Sequence, residues 1–116
     1  MAADLGLVEA MNNYGLLLEK DSKIEEAVYY FKMAADKGST FSMLNYARHI
    51  SDPQKVAHYY KLAADKGNEI AMYNFALALL NGFGVPADKN EAIRYLKLSI
   101  DKKKFKSNGQ IRINSH

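Results

Sequence analysis

The chain of 116 residues contains no cysteine, no tryptophan and only two prolines. Without cysteine it has no disulfide framework and no thiolate metal site. Long apolar runs are missing too. The longest, Phe75 to Leu80, has six residues, against the ~20 that a membrane-spanning helix needs. The opening Met1-Ala2-Ala3-Asp4 lacks the charged and apolar regions of a signal peptide. Together these absences lead us to expect a cytoplasmic protein. What is present is ordinary: 48% of residues are apolar and 25% charged, neither low-complexity nor disordered. A chain of this length makes one domain and buries about 65% of its unfolded surface.

Positive charge is in slight excess and unevenly placed. Sixteen basic residues oppose 13 acidic ones, a net of +3. Lys102, Lys103, Lys104, Lys106 and Arg112 lie in residues 102–116 with no acid, so residues 1–101 carry a net of −2. A nucleic-acid-binding domain carries its positive charge on the folded face that meets phosphate. The body therefore argues against a nucleic-acid partner.

Internal repetition organises the chain. Ala34-Ala35-Asp36-Lys37-Gly38 returns as Ala63-Ala64-Asp65-Lys66-Gly67. A weaker copy is Ala2-Ala3-Asp4-Leu5-Gly6, and a decayed one is Ser99-Ile100-Asp101-Lys102. The aspartates stand 32, 29 and 36 residues apart. In the same register Ala10-Met11, Ser42-Met43 and Ala71-Met72 align, as do Asn13-Tyr14, Asn45-Tyr46 and Asn74-Phe75. So do Tyr30-Phe31-Lys32-Met33, Tyr59-Tyr60-Lys61-Leu62 and Tyr95-Leu96-Lys97-Leu98. Self-similarity of this period marks a stacked array of supersecondary units.

Each unit reads as two helices. Apolar residues such as Ala27, Phe31, Ala34 and Ala35 recur at three- and four-residue steps. First helices are expected near 7–19, 40–50 and 69–81, second helices near 22–37, 53–66 and 88–102. Ser22-x-x-Glu25 has the form of a capping box, and Asp88-x-x-Glu91 that of a similar one. Asp52-Pro53 sets a capping carboxylate before proline at the first helical position. Gly38 and Gly67 fall where a second helix must end in the left-handed region. The longer third interval is absorbed by the loop Asn81-Gly82-Phe83-Gly84-Val85-Pro86-Ala87, where the second repeat has only Ser51-Asp52. The expected fold is all-α: a solenoid of about three helical hairpins over 1–102, with repeats near 5–36, 37–65 and 66–101. A basic tail, 103–116, follows.

Ala71-Met72-Tyr73-Asn74-Phe75-Ala76, the glycine loop at 81–88, Glu91-Ala92 and Tyr95 together resemble a Sel-1-like repeat, a member of the tetratricopeptide-like helical solenoids. The third repeat matches the family loop but ends in Ser99-Ile100 where Ala-Ala is usual. The first two match the ending but lack the glycine loop. The resemblance implies a right-handed superhelix serving as adaptor, scaffold or regulatory subunit, with no catalysis and no cofactor. Some bacterial relatives staple each repeat with cysteines. Their absence here fits a reducing compartment. Residues 1–6 look like the last turn of a second helix, and no first-helix pattern follows Asp101. A marginal domain or a module of a longer array is expected.

Candidate chemical sites have bland readings. Gly82-Phe83-Gly84 follows a helix and lacks the strand–turn–helix of a phosphate loop, so it reads as a turn. His49 and His58 lie on different helices with no convergent ligands. Ser22, Ser39 and Ser42 fit caps or repeat positions. Tyr29, Tyr30, Phe31, Tyr59, Tyr60 and Tyr95 recur beside alanine and methionine and read as interhelix packing rather than a base-stacking platform. Lys32, Lys61 and Lys97 share a register typical of a solvated face. The lysines at 102–106 read as a solubilising tail, since four supply too little for stable membrane anchoring.

The first helices carry the sharper signal. In tetratricopeptide-like solenoids they line a concave groove. The resemblance places Asn12, Leu16, Leu44, Asn45, Arg48, Tyr73, Asn74 and Leu77 on or beside that face. An apolar strip with amide, guanidinium and phenol groups suits an extended or helical peptide. Asn13, Asn45 and Asn74 repeat with the hydrophobic motif and read as stiffening the stack. Asn12, Arg48 and Tyr73 vary and read as facing a partner. The expected function is a protein-interaction scaffold with a protein or peptide partner. The alternatives are an RNA-binding helical repeat that uses the basic tail, or a regulatory module of an enzyme complex.

Overall fold

Glycine and short polar side chains punctuate this chain, and the helices follow that punctuation. The computed structural model describes residues 2–114, with side chains placed for residues 6–103. Among the described residues six helices occur: α1 Ala2–Lys20, α2 Ile24–Asp36, α3 Thr40–Ala47, α4 Pro53–Asp65, α5 Glu69–Asn81 and α6 Lys89–Asn114. No strand is found among the described residues. Each helix packs on the next in sequence, making three hairpins in an all-α helical-repeat stack. The radius of gyration is 16.0 Å, above the ~13 Å of a ball-shaped 100-residue domain.

Most helix ends obey their local chemistry. Asp52 Oδ1 accepts from Gln54 N at 3.0 Å, and Asp88 Oδ1 from Glu91 N at 3.1 Å. Ser39 Oγ caps α3 through Ser42 N, and Asn68 Oδ1 caps α5 through Ala71 N. Gly38 and Gly67 take φ of 101° and 100°. Around them Ser39 N donates to Ala34 O and Asn68 N to Ala63 O, both at 3.1 Å, the paired arrangement of a glycine-terminated helix.

Three boundaries differ from expectation. Ser22 does not cap α2. It sits at φ 64°, ending α1 beneath a Lys23 N to Leu18 O bond of 2.8 Å. Lys23 is the N-cap residue, with no side-chain cap bond. Ser22 fills the left-handed place that glycine fills elsewhere, so its hydroxyl is not where a cap must be. The helix α3 stops at Ala47 rather than near 50, with Arg48 as its C-cap residue and His49 N donating to Tyr46 O at 2.9 Å. The helix α6 runs to Asn114 instead of ending near 102. Lys103 occupies the position of Gly38 and Gly67, so no glycine is there to turn the chain out of the helix. The surroundings of Lys104, Lys106 and Arg112 in the basic tail lie outside the described side chains.

The core is built from small residues around a few rings. Ala34, Ala57, Ala63, Ala71, Ala76 and Ala92 are all 0% exposed, and alanine lets helix backbones come close. Each hairpin is closed by one edge-to-face ring pair. Tyr14–Tyr30 has centroids 4.9 Å apart, Tyr46–Tyr59 5.2 Å and Phe75–Tyr95 5.0 Å. The six rings occupy the same two register positions in all three repeats, so Tyr30, Tyr59 and Tyr95 pack between helices as expected, whereas Tyr29 is 60% exposed and Tyr60 borders an open groove. Phe31 is fully buried, and a Cβ on Gly15 would press into its ring. In the α5–α6 loop, Gly84 has φ of 72° and lies on the Pro53 carbonyl with no room for a Cβ.

Two substitutions of opposite sign check these backbone assignments by thermal or urea unfolding. Ser22→Gly relieves a left-handed non-glycine residue and raises stability by ~1 kcal/mol; a capping serine would give no such gain. Gly84→Ala forces a side chain into the α4 backbone and lowers stability by ~2 kcal/mol or more.

Candidate functional site

The sequence-selected residues lie on the first helices of the three hairpins, α1, α3 and α5, in two unlike groups. The group at the α1–α3 junction is polar and internally satisfied. Asn12 Oδ1 accepts from Ser42 Oγ at 2.8 Å and from Asn45 Nδ2 at 3.0 Å. Arg48 donates from Nη2 to Asn45 Oδ1 at 3.0 Å. Its two terminal nitrogens also grip Glu19, with Nη1 to Oε2 at 3.0 Å and Nη2 to Oε1 at 3.3 Å. His49 Nε2 lies 2.5 Å from the same Glu19 Oε2, and its ring stacks on Phe31 with centroids 6.1 Å apart. Asn12 and Arg48 thus have partners within the chain, in spite of varying between repeats.

The group on α5 is apolar and largely unengaged. Tyr73 is 50% exposed, Leu77 36% and, back on α1, Leu16 38%. Leu44 is half-buried against the main core. Asn74 holds the same register as Asn45, yet the partners are gone: Leu44 replaces Asn12 and Leu77 replaces Arg48. Asn74 instead borders an open groove of about 280 Å³ together with Tyr60, Leu77, Ala78, Asn81 and Phe83. The chemistry available there is an apolar floor with two amides and a phenol at its edge, a surface for binding rather than for bond making.

Sequence reading missed Glu19, the hub of the polar junction, and the roles of Tyr60, Asn81 and Phe83 in the groove. Glu19 and Arg48 are 29 residues apart, so no local pattern links them. Lys32 and Lys61 pair with Asp36 and Asp65 four residues on, at 3.0 and 2.8 Å, and stay about half exposed, as a solvated face does. No group of metal-ligating side chains occurs among the described residues, and none of their helices is long and apolar enough to cross a membrane. Gly82 ends α5 in the left-handed region, and Phe83 N donates back to Ala78 O at 2.9 Å. The glycine motif is therefore a helix stop.

The Arg48 guanidinium, bonded to Glu19, holds that carboxyl below its ordinary value of 4.5 against the opposing effect of burial. A carboxyl depressed on folding adds stability above its unfolded pKa, and the contribution vanishes as pH falls through the folded value. Glu19→Gln is therefore expected to cost ~1 kcal/mol at pH 7. The gap to the native chain should close as pH falls below the ordinary carboxyl value of 4.5, as followed by urea unfolding. A gap independent of pH would mean that the pair adds nothing.

Comparison with known proteins gives a consistent picture. The family model for the Sel1 repeat matches residues 1–39, 48–68 and 70–103. No curated protein sequence matches the chain. Solved structures do. One is a protective antigen of uropathogenic Escherichia coli strains displaying an SLR fold, with 24% identity and a TM-score of 0.72 over 84% of this chain. Another is a Sel1 repeat protein from Oxalobacter formigenes, with 20% identity and a TM-score of 0.76 over 82% of this chain. At these identities the likeness is one of fold. The chain spans 23% and 31% of those two proteins' lengths.

Proposed function

The chain belongs to the Sel1 repeat family, and on that premise we propose that it is a non-catalytic protein-interaction module that holds an extended or helical peptide against α5. The observation that carries this reading is the change of character along the first helices. Polar groups at the α1–α3 junction satisfy one another, whereas Asn74 stands with no side-chain partner over an apolar groove. An amide in that position offers both a donor and an acceptor to a peptide backbone without demanding a sequence. Tyr73, Leu77 and Phe83 supply apolar contact for the peptide's side chains.

Rigid presentation is the mechanism. The stacked hairpins hold the face in place before binding, so ordering costs fall on the peptide rather than on the receptor. Within this reading, Leu16, Tyr73, Asn74 and Leu77 meet the partner. Leu44 supports them from the core. Asn12, Asn45 and Arg48 fix the angle between the first two hairpins and touch the partner only at its edge.

Paired baits test the proposal. The native chain and a Tyr73→Ala, Leu77→Glu variant are each cross-linked in lysate, after circular dichroism shows equal helicity. A protein captured by the native bait and lost from the variant supports the α5 face. Equal capture by both places the binding surface elsewhere. Recovery of RNA that falls steeply with salt would overturn the reading in favour of a nucleic-acid partner.

A further inference from the structure

Ile70, Tyr73, Leu77 and Leu80 on α5 follow steps of three, four and three residues, and so share one stripe of the helix. They are between 36% and 58% exposed. Stacking of hairpins does not cover this stripe. The middle hairpin has a neighbour on both sides, yet Phe41, Arg48 and Ser51, which match Ile70, Leu77 and Leu80, are exposed there, and Leu44, which matches Tyr73, is half-buried. The stripe therefore belongs to an open face of the array.

Two properties of the stripe point to its occupant. The first is charge. No acidic or basic side chain occurs from Ile70 to Ala87, and Arg48 and Glu19 of the preceding hairpins hold each other. A partner selected by charge has nothing to pair with along α5, and a second α5 meets no repulsion there. The second property is symmetry. Steps of three, four and three read the same in both directions, so the stripe fits a copy of itself turned end for end. Asn74, beside the middle of the stripe, carries an amide that is both donor and acceptor and so complements its own kind.

We propose that two copies of this chain pair through α5, antiparallel about a two-fold axis. Ile70 of one copy meets Leu80 of the other, Tyr73 meets Leu77, and the two Asn74 amides face each other across the axis. Glu69 selects the direction. A parallel pair would set the two Glu69 carboxylates side by side, whereas the antiparallel pair sends them to opposite ends. A contact between like surfaces closes at two copies. Four apolar side chains from each copy make a small interface, so dissociation falls in the micromolar range. This pairing rests on the reading of the α5 face as a docking surface, and a peptide competes with it for the same stripe.

Sedimentation of the full chain over about a hundred-fold concentration range tests this. The average mass is expected to rise to twice that of one chain and stop there, with little response to salt because no ion pair forms. Ile70→Lys and Leu80→Glu are made separately. Both positions are exposed, and retained helicity is checked by circular dichroism. Each variant alone sets a charge against an apolar side chain twice in the dimer, and should dissociate at least ~10-fold more readily. An equimolar mixture should recover the dimer, because the antiparallel sense sets the new lysine against the new glutamate and leaves Ile70 against Leu80 in the other layer. A native chain that is monomeric throughout, growth beyond two copies, a single variant that dimerises as the native chain does, or a mixture no tighter than its components would each overturn the pairing. Lysate capture through the α5 face by a chain that stays monomeric would do so while leaving the peptide reading in place.

Discussion

Each hairpin depends on one ring meeting another edge to face. Tyr14–Tyr30, Tyr46–Tyr59 and Phe75–Tyr95 occupy one place in three copies, at nearly one spacing. Such a pair adds ~0.5–1.5 kcal/mol to the burial of its rings. Its greater effect is geometric. Two rings at fixed distance and angle set how the second helix lies on the first. The surrounding positions then have to be small, and alanine supplies most of them: Ala27 and Ala92 share one register position on the second helices and are fully buried, and Val56 holds that position in α4 at 6% exposure. A methyl group adds little transfer energy. It lets backbones close on one another, so that packing of main chain on main chain replaces the bulky interior of a globular core.

Once the hairpins are set, the junctions between them can differ in chemistry. The second junction is apolar and joins Ala64 to Met72 within the main cluster. The first is mixed. Leu18, Ala27 and Phe31 form a cluster of their own, and the hydrogen-bonded set around Glu19 ties α1 to α3 across it. Such a junction is directional. The bidentate grip of Arg48 on Glu19 fixes an angle that methyl groups would leave free.

Much of this fold is legible in the sequence because its determinants are local. The six helices, the glycine stops at 38 and 67, and the caps at Asp52 and Asp88 each depend on neighbours within a turn. The failures have physical causes. Ser22-x-x-Glu25 has the spacing of a capping box, but the preceding helix needed a left-handed residue at Ser22 in order to end. The extension of α6 follows from a glycine that is absent from position 103. Glu19, His49 and Ser42 join residues about 30 positions away, which periodicity does not report.

Variation between repeats is an incomplete guide to surface function. Asn12 and Arg48 vary because partners vary with them: Glu19 and Ser42 belong to a set that the later repeat does not keep. Asn45 and Asn74, by contrast, are the same residue in the same register. One is bonded by its neighbours and the other is not, because Leu44 and Leu77 stand where Asn12 and Arg48, the two groups that Asn45 binds, would have to be. In a stacked array a residue's role is set by the pair of hairpins it stands between. A repeated amide stiffens one junction and, a single step along the stack, stands open to solvent over an apolar groove.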